Sequence, residues 1–418
     1  MTSTLGSLFS FKRMKNGHHP KYAYTFGLLL GALVCWMFYL FGDHLNLKVF
    51  NSSICDGASC LNHVSIFKLS LGMILYHAFL CLCLLGVSSS DNGRAFIQDG
   101  IWPIKAIIWI GTIVGCFFIP DEKFTNFWIA CVFFGAIFVV FQSLIMVDFI
   151  WSLAESWLSK FEESQGCGWK SLLIGSTFFC VATVITSSAL LYKFYTGEEG
   201  CGRNTFFITF NIIISIVMMA LSVSPKVQEA NPKSGILQAA FMSVYTSYLV
   251  ASAIGSDASE TCKVTTAVGK DSALSKIMLY VGIIFGVTSL CYTALSMGTS
   301  ETFDAGAVEV SAAESGSKKD GEGKNDKKMD DEPVVEVSYN YSFFHFIFFL
   351  AIFYLVAVLT QWSQMEVSGG GDNVKKLEIN SHSTAPAWVQ VVFSWISALL
   401  YIWTLIAPIL LPDRNFNF

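Results

Sequence analysis

Residues 126–163 read NFWIACVFFGAIFVVFQSLIMVDFIWSLAESWLSKFEE, and their first 22 positions carry no charged side chain. The hydrocarbon layer of a bilayer is roughly 30 Å thick, and an α-helix crosses it in about 20 residues. Backbone amides cannot enter hydrocarbon unpaired, so we expect a helix here. The pattern continues without a break past Asp148, which predicts one helix roughly 57 Å long at about 1.5 Å per residue. Such a helix must tilt steeply, protrude from the membrane, or both.

Nine further stretches of similar length and low charge flank this one. Hydrophobic residues make up 53% of the 418 positions and charged residues 14%, and the apolar residues come in blocks. This pattern excludes an ordinary soluble protein and predicts an all-α membrane protein with ten transmembrane helices. The predicted spans are residues 22–41, 66–87, 101–119, 126–150, 170–194, 205–223, 236–254, 276–297, 342–362 and 388–411. The span at residues 236–254 is rich in Ser, Ala and Tyr, so we expect it to face protein instead of lipid.

The charge distribution predicts the orientation of these spans. Residues 1–21 carry four cationic side chains, whereas the loop after the first span carries only Lys48. The positive-inside rule therefore makes residues 1–21 a cytosolic N-terminal segment, and ten spans return the C-terminus to the cytosol. The predicted location is the plasma membrane or an endomembrane such as the ER, the Golgi or the vacuole.

A long polar segment divides the spans into two groups. Residues 22–298 contain the first eight spans, and residues 339–418 contain the last two and a short cytosolic C-terminus. Between them, residues 299–338 carry eleven acidic and five basic side chains and almost no aromatic ones. We expect a disordered acidic cytosolic loop there, because this composition cannot bury enough apolar surface to fold. Residues 363–386 contain three consecutive glycines and are predicted to be a flexible connector.

Four cysteines fall in loops assigned to the outer side, namely Cys55, Cys60, Cys201 and Cys262. An oxidising lumen would favour their pairing, most simply Cys55 with Cys60 and Cys201 with Cys262. Free thiols remain the alternative. Asn51 begins a glycosylation sequon in the first outer loop, on the side that the topology requires.

The helix at residues 126–163 carries polar side chains that could serve a transport path. Asp148 and Glu155 are seven residues apart and share a face, and Gln142 lies about a third of a turn away. Carboxylates near hydrocarbon should face protein or water. Two interpretations stay open: a hydrophilic groove, or a pair of interfacial caps partnered by cytosolic Lys or Arg.

Other spans contain single polar residues. His77, Asn211 and Gln238 lie within spans, and His345 lies nearer an end; such residues are more often interhelical hydrogen-bond partners than transport ligands. Lys105 lies near a span end, where snorkelling of its ammonium group to the interface explains its position. We find no motif for a catalytic nucleophile, a nucleotide or a metal ion. The sequence therefore predicts no enzyme, no cofactor, no metal site and no nucleic-acid partner.

Six blocks spread along the chain form a recognisable set. They are SPKVQEANPKSGILQAA from Ser224, SSSDNGRAFIQDGIW from Ser88, FFIPDEKF from Phe117, DFIWSLAESW from Asp148, YNYSFFHFIFFLA from Tyr339 and LYIWTLIAPILLPDR from Leu400. Together they resemble the serine incorporator (Serinc or TMS) family. The resemblance implies ten helices in two helical subdomains separated by a long diagonal fourth helix, here at about residues 126–163. It also implies either ATP-independent phospholipid scrambling or a role in the incorporation of serine into phosphatidylserine and sphingolipids.

Scrambling needs a weakly polar path and no chemistry, which suits this sequence best. We predict that Gln142, Asp148, Glu155, Tyr245 and Tyr248 line a groove between the two subdomains. The expected partners are membrane phospholipids, with a homo-oligomer left open. One alternative is a facilitator that delivers serine to lipid-synthesis enzymes, and another is a membrane scaffold acting through the acidic loop.

Overall fold

The computed structural model describes residues 19–41, 58–87, 92–164, 166–197, 200–256, 262, 273–296, 339–369, 375–380 and 384–411. These residues are mostly helical, which confirms the predicted all-α membrane fold. The helices in chain order are α1 (His19–Phe41), α2 (Ala58–Cys83), α3 (Ala95–Asp99), α4 (Trp102–Phe117), α5 (Phe127–Ser164), α6 (Cys167–Tyr195), α7 (Gly202–Ser222), α8 (Pro225–Ala230), α9 (Ile236–Ser256), α10 (Ala273–Ser296), α11 (Tyr341–Leu359) and α12 (Ala385–Leu410).

Every predicted span overlaps one of these helices. Within the described residues, eight helices are long and apolar enough to cross a membrane, and two apolar helical segments are shorter. The shorter segments are α4 and residues Leu279–Thr293 of α10. An integral multi-pass membrane protein follows from the eight long helices, and the count of ten crossings stays a prediction. The predicted acidic loop at residues 299–338 and residues 1–18 of the N-terminal segment lie outside the described residues.

Helix α5 is one continuous helix of 38 residues. It begins and ends one residue later than the predicted helix at residues 126–163, so the predicted continuous long helix is confirmed, and its diagonal course stays a prediction. A short 3₁₀ turn at Asp121–Phe124 precedes it. After α5, Gly166 adopts an extended backbone conformation, and α6 starts at the next residue.

The chain forms two compact units. The first contains α1, nearly all of α2, then α3, α4 and the first two thirds of α11, while the second contains α5 to α9, most of α10 and α12. Helix α5 lies wholly in the second unit. The predicted arrangement of two subdomains on either side of this helix stays a prediction.

The first unit depends on close contacts between helices that carry glycine. A Cβ atom at Gly72 of α2 would lie 2.5 Å from the Ile113 Cα atom of α4. Only a residue without a side chain allows the two backbones to approach so closely. Gly31 of α1 similarly accommodates the Met73 side chain.

The second unit is built around α9, which contacts α5, α6, α7 and α12. Fifteen of the 21 residues of α9 are buried. The prediction that the span at residues 236–254 faces protein is therefore confirmed. The apolar core beside α9 consists of Leu191, Tyr195, Phe207, Ile208, Val250, Ala251, Ala253, Ile254, Ala387 and Val391.

The predicted flexible connector at residues 363–386 contains regular structure instead. Strand β1 (Gln364–Gly369) pairs antiparallel with β2 (Lys375–Asn380), in a register from Gln364 opposite Asn380 to Gly369 opposite Lys375. Gly369, the first of the three consecutive glycines, is the last residue of β1 and lies opposite Lys375. The sequence interpretation was wrong because it extended the flexibility of three glycines to the residues on both sides.

Candidate functional site

The second half of α5 carries a polar face. Asp148, Ser152 and Glu155 follow one another at intervals of four and three residues, so their side chains project from one side of the helix. Asp148 is partly buried, and Ser152 and Glu155 are exposed. Two carboxylates therefore lie on an accessible side of α5, after 21 uncharged residues at the start of the same helix.

Glu155 forms an ion pair with Lys233, which lies in the connector between α8 and α9. The side chains are 49% and 53% exposed. An exposed ion pair contributes at most about 1 kcal/mol, so either charge can exchange its partner at little cost. Glu155 therefore has the lysine partner that the interfacial-cap interpretation expects, and its side chain stays accessible.

Gln142 and Tyr245 lie in a buried hydrogen-bonded cluster. Gln142 of α5 donates from Nε2 to the Ser289 hydroxyl of α10 at 3.1 Å, and its Oε1 accepts a hydrogen bond from the Tyr245 hydroxyl of α9 at 3.3 Å. All three side chains are 0% exposed. Next to Gln142, Ser143 is hydrogen-bonded to Ser397 of α12 at 2.6 Å. Amide and hydroxyl groups thus join four helices of the second unit.

Tyr248 lies one turn further along α9 and is also buried, with its hydroxyl packed against Gly282 of α10. Asn211 of α7 donates to the Ser247 hydroxyl of α9 at 2.9 Å, an interhelical contact of the predicted kind. Gln238 instead donates to the backbone carbonyl of Lys233 at 3.0 Å, just before its own helix.

The first unit contains a buried polar cluster that the sequence did not predict. Lys105 of α4 is only 3% exposed, and its Nζ donates to the Tyr24 hydroxyl at 2.9 Å and to the Gln98 carbonyl at 2.8 Å. The same ammonium group lies 3.7 Å from the centroid of the Trp102 ring. The interpretation of Lys105 as a snorkelling residue is therefore wrong, because its ammonium group has partners inside the protein.

The cluster continues through side chains of other helices. Gln98 donates from Nε2 to the Tyr339 hydroxyl, and its Oε1 lies 2.9 Å from His345 Nε2. His345 Nδ1 lies 3.0 Å from His77 Nδ1. Burial raises the pKa of the Tyr339 hydroxyl, which therefore stays protonated at neutral pH. His77 does act as an interhelical partner, but its partner was not identifiable from the sequence.

These contacts also fix which helix ends lie together. Tyr24 and His345 are near the starts of α1 and α11, Lys105 is in the first turn of α4, and His77 is near the end of α2. The start of α1, the end of α2 and the starts of α4 and α11 therefore lie at one end of the first unit. This agrees with the predicted alternation of the spans; which side of the membrane this end faces stays a prediction.

One of the predicted disulfide bonds is present between Cys201 and Cys262, whose Cα atoms are 5.6 Å apart. Cys60 is also disulfide-bonded. Cys55 and the predicted glycosylation site Asn51 lie outside the described residues. Among the described residues, no group of three His, Cys, Asp or Glu side chains could hold a metal ion.

Residues 2–414 match the family model described as Serine incorporator (Serinc). The chain belongs to the serine incorporator family. It is 32% identical to the probable serine incorporator of Nematostella vectensis, with 96% of this chain and 92% of that protein covered. It is 31% identical to the probable serine incorporator of Dictyostelium discoideum, with 97% and 99% covered. Serine incorporator 2 of Homo sapiens is 30% identical, with 87% and 81% covered.

Two of the blocks that resemble this family meet in the first unit. Gln98 belongs to the block from Ser88, and Tyr339 and His345 belong to the block from Tyr339; the hydrogen bonds of Gln98 join the two blocks. The blocks are more than 200 residues apart in the sequence. The resemblance identified both blocks, but only the tertiary structure shows that they form one site.

Proposed function

We propose that this chain moves phospholipids, phosphatidylserine among them, between the two leaflets of its membrane without ATP. The observation that carries the proposal is the accessible polar face of Asp148, Ser152 and Glu155 on a helix nearly twice as long as the hydrocarbon is thick. A helix of 38 residues is about 57 Å long, so part of its polar face reaches into the bilayer if the helix tilts.

The energetic problem in lipid transfer is the headgroup. Moving a zwitterionic or anionic headgroup into hydrocarbon without hydrogen-bond partners costs many kcal/mol, whereas its acyl chains cross at little cost. Carboxylates, hydroxyls and the water that they hold lower this cost. The exposed pair of Glu155 and Lys233 offers one charge of each sign, which suits a headgroup that carries both an ammonium and a phosphate group.

The other predicted pathway residues require a conformational change. Gln142 and Tyr245 have no exposed surface, and Tyr248 has little. We therefore propose that transfer along the whole predicted path includes a step in which α5, α9 and α10 separate around Gln142. The transfer is downhill, with the lipid gradient as its only driving force.

A reconstitution assay tests the proposal. Purified protein is placed in phosphatidylcholine vesicles that contain a trace of fluorescent phosphatidylserine in both leaflets, and dithionite quenches the outer-leaflet probe. Scrambling gives a loss of fluorescence well beyond half, with no ATP present. A signal equal to that of protein-free vesicles contradicts the proposal.

Matched variants locate the path. Asp148→Asn with Glu155→Gln removes both charges of the polar face and should slow transfer about fivefold, which corresponds to about 1 kcal/mol in the barrier. The control is Glu163→Gln, which removes an exposed carboxylate in the last turn of the same helix. Equal rates in the double variant and the control would assign the two carboxylates to interfacial capping.

The relatives are named serine incorporators. We therefore propose as a second candidate a non-catalytic facilitator of serine incorporation into lipids. Radiolabelled serine distinguishes the two. A facilitator should raise labelling of phosphatidylserine only when a serine-dependent lipid synthase is co-expressed, and it should give no transfer in pure lipid vesicles.

A further inference from the structure

Two histidines from different helices face each other in the first unit. His77 Nδ1 of α2 and His345 Nδ1 of α11 are 3.0 Å apart, and the side chains are 3% and 0% exposed. The proposed lipid path uses neither residue. A second contact joins the same two helices, because the Ser342 hydroxyl donates to the Cys81 carbonyl at 2.9 Å.

The hydrogen-bond network assigns the protons of this pair. Gln98 donates from its amide nitrogen to Tyr339, so its oxygen faces His345 and must accept a proton from His345 Nε2. Neutral His345 then has a bare Nδ1. The hydrogen bond at that atom therefore uses a proton on His77 Nδ1. In this chain of hydrogen bonds His77 donates to His345, His345 donates to Gln98, and Gln98 donates to Tyr339.

This arrangement limits how many protons the pair can bind. One additional proton creates a buried imidazolium, which is costly without water around it. A second additional proton places two N–H groups against each other and breaks the contact. Two histidines exposed to water bind both protons below about pH 6.5. The separated helices thus bind more protons than the packed helices, and acidification favours separation.

The charged and titratable groups around the pair come from every helix that packs against it. Tyr24 of α1 places its ring edge-on at 4.7 Å from the His345 ring and accepts a hydrogen bond from Lys105 of α4. The other such groups in contact with the pair or with its hydrogen-bonded neighbours are Lys21 of α1, Tyr76 and Cys81 of α2, Asp99 of α3, and Tyr339 and Tyr341 at the start of α11. Lys21 and Lys105 are both nearly fully buried. The positive charge of Lys105 disfavours a further cation at His345, and the buried Asp99 carboxylate beside Lys105 offsets part of that charge.

We propose that the His77–His345 pair is a proton-operated latch, which holds the start of α11 against the end of α2 at neutral pH and releases it on acidification. The proposal is independent of lipid transfer. Protonation of a water-exposed histidine favours the state that exposes it. Between pH 7.5 and 5.5 this factor rises about tenfold for each histidine. The ratio of released to packed helices should therefore rise up to about 100-fold for two histidines.

Hydrogen exchange of the wild-type protein in lipid nanodiscs measures this ratio. The probe is the peptide covering Phe344–Phe349 of α11. Its observed exchange rate is compared with the intrinsic chemical exchange rate at each pH, which gives a protection factor. Its protection factor should fall by one to two orders of magnitude from pH 7.5 to 5.5. A peptide from the buried part of α9, which contains no histidine, serves as the internal reference and should keep its protection. An α11 protection factor that changes no more than that of α9 overturns the proposal.

A variant separates the latch from a general effect of acid. His77→Asn combined with His345→Gln keeps amide groups that donate and accept hydrogen bonds but cannot bind a proton at these pH values. Its α11 protection should be the same at pH 7.5 and 5.5. A fall equal to that of the wild type shows that other groups respond to pH and overturns the proposal. If the variant does not fold, the comparison of α11 with α9 in the wild-type protein still decides.

Discussion

Replacement of Gln142 by Leu tests whether the buried amide cluster holds the second unit together. The Gln142 side chain makes two hydrogen bonds to other helices, to Ser289 and from Tyr245. Interhelical hydrogen bonds in membranes contribute about 0.6 kcal/mol each on average. After the change Ser289 keeps its hydrogen bond to the Phe285 carbonyl, and the buried Tyr245 hydroxyl loses its Gln142 acceptor. We expect Gln142→Leu to lower the free energy of unfolding by about 1–2 kcal/mol.

A double-mutant cycle with Tyr245→Phe makes this expectation specific. Removing both partners leaves no orphaned group between them, so the double variant should cost less than the sum of the single variants by about 0.6–1 kcal/mol. Unfolding is followed by tryptophan fluorescence in mixed micelles of increasing SDS fraction. The control is Gln390→Leu, which removes an interhelical hydrogen bond to Ser256 of α9. Ser256 lies about 16 Å along α9 from Tyr245, so the effects of Gln390→Leu and Tyr245→Phe on the free energy of unfolding should be additive.

Additivity of Gln142→Leu and Tyr245→Phe to within about 0.3 kcal/mol would refute the reasoning, because the two side chains would then not be coupled.

The Tyr245→Phe variant also tests the proposed opening step. If the cluster must open before a headgroup passes, Tyr245→Phe should accelerate transfer about three- to fivefold, in line with a loss of about 0.6–1 kcal/mol. A slower rate would instead indicate that the hydroxyl contacts the headgroup during transfer.

Two further changes test the packing and the covalent links. Gly72→Ala places a methyl group against the backbone of Ile113 and should destabilise the first unit by about 1–3 kcal/mol in the same unfolding assay. Gly111→Ala, with nothing within 4 Å of its Cβ position, should be neutral or slightly stabilising, and equal losses in both variants would contradict the close contact. Replacing Cys201 and Cys262 by Ser removes the disulfide bond that joins positions 61 residues apart. The free energy of unfolding should fall by about 2–4 kcal/mol, with the lower value expected if the intervening helices stay in the membrane. A change below about 1 kcal/mol would show that this link does not restrain the unfolded chain.

The sequence predicted the features that depend on a local pattern. The bounds of α5 came within one residue of the structure, because an uncharged run of helical length must be helical in a membrane and the pattern continues past Asp148 without a helix-breaking residue. The buried position of α9 was also predicted, since its Ser, Ala and Tyr side chains suit contact with protein better than with lipid. The pairing of Cys201 with Cys262 was the simplest prediction for cysteines assigned to loops on one side of the membrane, and the structure contains this disulfide bond. The strands β1 and β2 were missed because a short hairpin next to glycines has little periodicity to detect.

By itself, therefore, the amino-acid sequence determined the class of the protein and the approximate positions of its long apolar helices, because the bilayer imposes the same requirement on every segment that crosses it. The tertiary structure alone decided which polar side chains meet. Lys105 looked like an interfacial lysine, and the interhelical partners of His345 were unknown, yet both residues belong to one buried cluster with Gln98 and His77. Contacts between helices more than 200 residues apart depend on how the helices pack. The spacing of residues in one sequence does not show which distant side chains form a hydrogen bond.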